Sequence, residues 1–220
     1  MKITKVEAIP VRQSGTIELI NDSAQDGIII KVYTDEGIVG IGEVDSAPWV
    51  VKSIIDSPSS HRICRGLGEM IIGEDPFEIE RIWEKMYVGS TFYGRRGVVI
   101  HAMSGIDIAL WDIMGKALNL PIYKLLGGAQ RGKVRAYAST LMPYTPQEAY
   151  EETKKWVEQG YTAIKLGWGG FEQGNREIVE LVKASREAAG PNIDLLFDLG
   201  FIPSDDHPID AASRMALAKE

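Results

Sequence analysis

The chain has a single cysteine, Cys64, among its 220 residues, so no intrachain disulfide can form. A lone thiol fits a reducing compartment, and the residues around Cys64 read as a short helix carrying a passive side chain. Long apolar runs are also missing: no unbroken stretch approaches the ~18 residues of a membrane span. The opening MKITKVEAIPVR alternates charged and apolar residues and lacks the apolar centre of a signal peptide. A cytoplasmic protein with no membrane partner is expected. Basic side chains are outnumbered, 24 Lys and Arg against 31 Asp and Glu, for a net charge of −7. No basic run with interleaved aromatics occurs, which sets nucleic-acid binding aside. No strand is followed by the glycine fingerprint of a dinucleotide site or a P-loop. What remains is ordinary globular material, 45% hydrophobic and 25% charged, long enough for one or two domains.

The chain divides into two patterns. Residues 2–12 alternate with period two and predict a strand, as do 27–34 and 38–44, joined by the turn Asp35-Glu36-Gly37. A polar loop over about 14–25 separates the first two. Helical periodicity follows. Residues 75–87 open with Asp75 as an N-cap and Pro76 at the first helical position. Residues 97–119 form a long helix, apolar on most of its circumference, whose Gly105, Ala109 and Gly115 permit close packing. His101, Asp107 and Asp112 on it read as satisfied polar groups. From about 133 onward strands and helices alternate: strands at 133–140, 163–168 and 193–200, and helices at 145–160, 175–190 and 208–220. Repeated βα units imply a parallel sheet, doubly wound or barrel. Three such units cannot close a barrel, which needs about eight, and the sequence stops within a helical pattern. Truncation of a longer chain is the expectation.

In a βα barrel, functional side chains stand at the C-terminal ends of strands. Lys165 and Asp198 each interrupt an apolar run two residues before a glycine, at comparable points of neighbouring strands. They are either a functional pair or a buried structural ion pair. An aspartate so placed is also a natural hard-oxygen ligand for Mg2+.

The stretches MKITKVEAIPV, VYTDEGIVGIGE and above all AMSGIDIALWDIMGKALNLPIYKLLGG resemble the mandelate racemase/muconate lactonizing enzyme family of the enolase superfamily. GYTAIKLG and LLFDLG resemble that family's second and third barrel strands. The resemblance implies an α+β capping domain over residues 1–130, then the first three βα units, 131–220, of a (β/α)7β TIM-like barrel. It implies a Mg2+-dependent lyase or isomerase that removes the proton α to a carboxylate through an enediolate. Asp198 would be the first of three metal-binding acids. Lys165 would be the first lysine of a Lys-x-Lys motif, holding the substrate carboxylate or tuning its neighbour. The second lysine of that motif, the usual base, falls on Gly167. Loss of one base favours dehydration of a sugar acid over racemisation, epimerisation or cycloisomerisation. The 220 residues alone are expected to be inactive, a truncated product or an assembly scaffold being the non-catalytic alternative.

In the family, two capping loops select the substrate; here they correspond to about 14–25, with Glu18, Asn21 and Asp22, and 44–50, with Trp49. Asn21, Trp49 and Trp168 are the candidate substrate contacts. Trp49 is either a lid or a buried anchor for the next helix, and Phe171 either lines the pocket or packs on the neighbouring strand's loop. His207 and the pair Arg95-Arg96 read as solvated. The expected partner is a small carboxylate, a sugar acid, and the expected assembly a homo-oligomer.

Overall fold

The computed structural model describes residues 1–12, 26–172 and 175–198. Two compact units part between Gln130 and Arg131.

The first unit begins with an antiparallel sheet of β1 (Ile3–Arg12), β2 (Asp26–Thr34) and β3 (Val39–Val44), in the order β1-β2-β3. Alternation along β2 sends Ile28, Ile30 and Val32 inward, where all three are fully buried. Helices α1 (Pro48–Asp56), α2 (Leu67–Ile71), α3 (Ile79–Gly89), α4 (Val98–Leu118) and α5 (Ile122–Leu125) follow. By length and mean hydropathy, 1.4, α4 would pass for a membrane span. Its apolar side is instead spent on the sheet, burying Ile106, Ala109, Leu110 and Ile113. Each such isoleucine or leucine contributes about 1.5–3 kcal/mol of burial. The contact is made at backbone distance: a Cβ on Gly42 would lie 1.9 Å from the Gly105 carbonyl oxygen, and one on Gly40 would lie 2.0 Å from that of Ala109. The small residues of the long helix therefore meet glycines of the strand. Asp112 is satisfied as expected, accepting the Ile41 N–H at 2.8 Å and the Lys116 ammonium at 2.6 Å, and His101 Nδ1 lies 3.1 Å from Ser46 Oγ.

Three local expectations are corrected here. Asp75 does not cap a helix: it accepts the Phe77 N–H at 3.0 Å in a turn, and α3 starts only at Ile79. The side chain made the turn-closing bond that competes with helix entry. Cys64 lies in no helix but in a two-residue bridge with His61. The 44–50 segment is not all loop, since α1 begins at Pro48 and Trp49 is in its first turn.

The second unit alternates β4 (Ala138–Leu141), α6 (Pro146–Glu158), β5 (Ala163–Gly167), α7 (Asn175–Ala189) and β6 (Asp194–Asp198). The strands are parallel in the order β4-β5-β6. Thr145 caps α6 in a capping box with Glu148, and Pro146 opens the helix. Ile164 and Leu166 on one face of β5 are fully buried with Ala149 of α6 and Ile178 and Leu181 of α7. The first of these strands is shorter than its alternation predicts. Residues 133–137 stay unpaired because the Arg135 guanidinium reaches across to the Thr162 carbonyl at 2.7 Å and to Asp194 Oδ2 at 2.6 Å, ahead of the ladder that begins at Ala138. The predicted helix at 208–220 lies outside the described residues.

Candidate active site

The ladder places Ser139, Lys165 and Leu196 in one row and Leu141, Gly167 and Asp198 in the next. Since side chains alternate faces, all six share the face turned away from α6 and α7. Leu141 and Leu196 remain 49% and 40% exposed there, so the face is open at the strand tips. Within it Lys165 Nζ lies 2.6 Å from Asp198 Oδ2. The two residues matched from sequence are brought together as a direct ion pair, one row apart.

Gly167 is what allows that approach. A Cβ at this position would stand 2.9 Å from Asp198 Cβ and 3.3 Å from its carbonyl oxygen. The sequence shows Gly167 only as a missing lysine. Its steric role depends on how closely β6 is drawn against β5, which no local pattern carries. Bonds beyond the strand ends hold the tips: Met142 N–H donates to the Gly167 carbonyl at 2.8 Å, and Trp168 N–H to the Asp198 carbonyl at 3.2 Å. Trp168 takes a left-handed backbone, φ 54°, a conformation that costs a non-glycine residue about 1–2 kcal/mol. Phe171 does not line an open site. It is buried and meets Phe197 edge-on at 5.8 Å, so it packs on the strand β6 itself and not on that strand's loop.

Electrostatically, the hydrogen bond to Asp198 raises the Lys165 pKa above its usual value, with the Asp198 charge adding and partial burial opposing. Lys165 is therefore an ammonium at neutral pH, suited to binding an anion and not to removing a proton. Asp198 offers the oxygen chemistry that a hard divalent ion takes. It does so as one donor: among the described residues no three acidic, histidine or cysteine side chains cluster as a metal site.

A separate cleft of about 600 Å3 opens at the end of β4, lined by Thr140, Met142, Tyr144, Glu151 and Glu152 among others. Glu152 is already engaged there, accepting from Thr140 Oγ1 at 3.2 Å and Trp156 Nε1 at 2.7 Å. Trp49 stands in the first unit, 68% exposed, so it is not a buried anchor. Asn21, Glu18, Asp22 and His207 lie outside the described residues.

Residues 4–127 match the model of the mandelate racemase / muconate lactonizing enzyme N-terminal domain. The chain belongs to that family. It is 31% identical over 218 residues to arabinonate dehydratase of Saccharolobus solfataricus, covering 93% of this chain and 53% of that enzyme. D-galactonate dehydratase of Pectobacterium atrosepticum is 37% identical over 191 residues, 83% of this chain and 46% of the relative. Among solved structures, the 3,6-anhydro-D-galactonate cycloisomerase from Zobellia galactanivorans superposes with a TM-score of 0.80 at 30% identity, over 100% of this chain and 55% of that one. The family member thus spans about half the length of these relatives. Its fold is the family's: an antiparallel-sheet cap with helices, followed by the parallel βα units that begin a barrel.

Proposed function

We propose that this chain is part of a Mg2+-dependent acid-sugar dehydratase, which abstracts the proton α to a carboxylate and expels a β-hydroxyl through an enediolate. The observation that carries the reading is the Lys165–Asp198 pair on an open face at the strand tips, 2.6 Å apart, with Gly167 where a second lysine would stand. The names of the arabinonate and D-galactonate dehydratases support the substrate class.

Each group has a physical task. Asp198 would give a divalent ion one oxygen donor, and the bound ion would supply positive charge beside the substrate carboxylate. The Lys165 ammonium binds and orients the substrate carboxylate, and its fixed positive charge stabilises the negative charge that builds up there without the reorganisation water would need. Gly167 puts no side-chain base at the motif's second position, which suits a reaction needing a base on one side only. Trp168 and, from the capping domain, Trp49 and Asn21 are proposed as substrate contacts. A homo-oligomer acting on a small carboxylate in the cytoplasm completes the reading.

The test is to incubate the complete enzyme containing this segment with Mg2+ and a panel of aldonic acids. Loss of one water, giving the 2-keto-3-deoxy acid, is expected, and Asp198→Asn abolishes it. Products of unchanged mass would assign the protein to racemases, epimerases or cycloisomerases instead. Full turnover by Asp198→Asn would remove the metal assignment.

A further inference from the structure

We propose that His101 is a positioning residue: through its hydrogen bond to Ser46 it fixes the first turn of α1, and with it Trp49. The inference rests on the reading of Trp49 as a substrate contact and adds what holds that contact in place.

β3 ends at Val44 and α1 starts at Pro48, so residues 45–47 make the crossing between them. The helix entry is not fixed by a cap of its own. Ala47 stands at the N-cap, where it offers no side-chain oxygen to the free N–H groups of the first turn. Ser46, one position too early to cap, has its hydroxyl 3.1 Å from His101 Nδ1 on α4. A hydroxyl both donates and accepts, so either tautomer of the ring keeps this bond. One helical turn further along α4, Gly105 receives Val44: a Cβ there would lie 2.4 Å from Val44 Cγ2. His101 and Gly105 are four residues apart and share a helix face. The end of the strand and the crossing are thus fastened to one stripe of α4. Within α1 itself Pro48, Val51 and Ile55 are buried, which seats the helix and leaves Trp49 and Val50 exposed. A change in chain direction at Ser46 is carried to the indole only three residues on.

The test labels the complete enzyme containing this segment with 5-fluorotryptophan and assigns to Trp49 the fluorine signal that Trp49→Ala lacks. Ser46→Ala and His101→Phe, which keeps a ring but no hydrogen-bonding nitrogen, are expected to shift or broaden that signal. Trp83 and Trp111, packed against the core of the same unit, are expected to keep theirs. His101→Asn carries an amide atom where histidine has Nδ1, and is expected to restore the original Trp49 signal. With the aldonic acid that the enzyme turns over, His101→Phe is expected to raise KM about fivefold with little change in kcat. In a Trp49→Ala background it is expected to add nothing. A Trp49 signal unmoved by both Ser46→Ala and His101→Phe overturns the proposal. So does movement of the Trp83 and Trp111 signals alongside it, or failure of His101→Asn to restore it. A KM rise that persists at full size in the Trp49→Ala background overturns it too, since the histidine then acts by another route. Unchanged KM in Trp49→Ala, or no turnover of any aldonic acid, removes the substrate reading instead, and the fluorine signals then judge the positioning by themselves.

Discussion

Gly167 stands opposite Asp198 so closely that a methyl group on it would lie 2.9 Å from Asp198 Cβ. Real Cβ atoms do not approach so near, so any side chain at position 167 must push β6 away from β5. Gly167→Ala is therefore expected to destabilise the second unit by about 1–3 kcal/mol, measured by urea denaturation. The same variant is expected to lengthen the Lys165–Asp198 contact, so an amine-reactive ester should acylate its Lys165 faster than that of the unsubstituted chain, read by peptide mass spectrometry.

A second close approach holds the first unit together. Gly42→Ala would drive a Cβ into the Gly105 carbonyl, 1.9 Å away, and neither backbone can yield without separating α4 from β3. An expected loss of about 3 kcal/mol or more should appear as an early unfolding transition in thermal scans followed by circular dichroism. An alanine at Gly37, in the hairpin turn with φ 80° and nothing within 4 Å, costs only backbone strain, about 1–2 kcal/mol.

Asp107 on α4 is held above its ordinary pKa of 3.8, first by burial and then by the nearby Glu80 carboxylate, with a hydrogen bond from Trp111 acting the other way. A raised acid is penalised in the folded state once it is ionised. The penalty is full at neutral pH and absent when the group is protonated in both states. Asp107→Asn, which keeps an acceptor for the indole N–H, should therefore raise the melting temperature at pH 7. Its advantage should vanish as the pH falls below about 3.8.

Glu74 has the opposite sign. Hydrogen bonds from Lys85 and then Arg81 lower its pKa from 4.5. Its contribution is complete above the unfolded value and is lost as the pH falls through the folded one. Glu74→Gln should cost about 1 kcal/mol at neutral pH, with the two proteins converging in acid below pH 4.5. Melting temperatures across pH 3–7 check both this and the preceding expectation.

The elements that sequence periodicity identified are those whose signal is local. Thr145-Pro146 with Glu148 writes the start of α6 in four residues, and alternation in β2 assigns its buried face without knowledge of any partner. One misplaced boundary involves partners remote in the chain: Arg135 leaves the strand pattern because Asp194 and Thr162 receive it. The other is a local competition, since α3 starts late because Asp75 accepts the Phe77 N–H two residues on. The site divides in the same manner. Lys165 and Asp198 could be singled out as charges interrupting apolar runs, a cost that burial imposes on any fold.

The sequence by itself determined the two grammars of the chain, the family it resembles, and the two charged residues at strand tips, because periodicity, turn chemistry and the cost of buried charge act over a few residues. Only the tertiary structure decided that those charges meet, that Phe171 packs on Phe197 rather than lining the site, and that Gly167 is a spacing requirement as much as an absent base. These depend on the distance between neighbouring strands, which is set by the packing of α6 and α7 beneath the sheet and is written in no single segment.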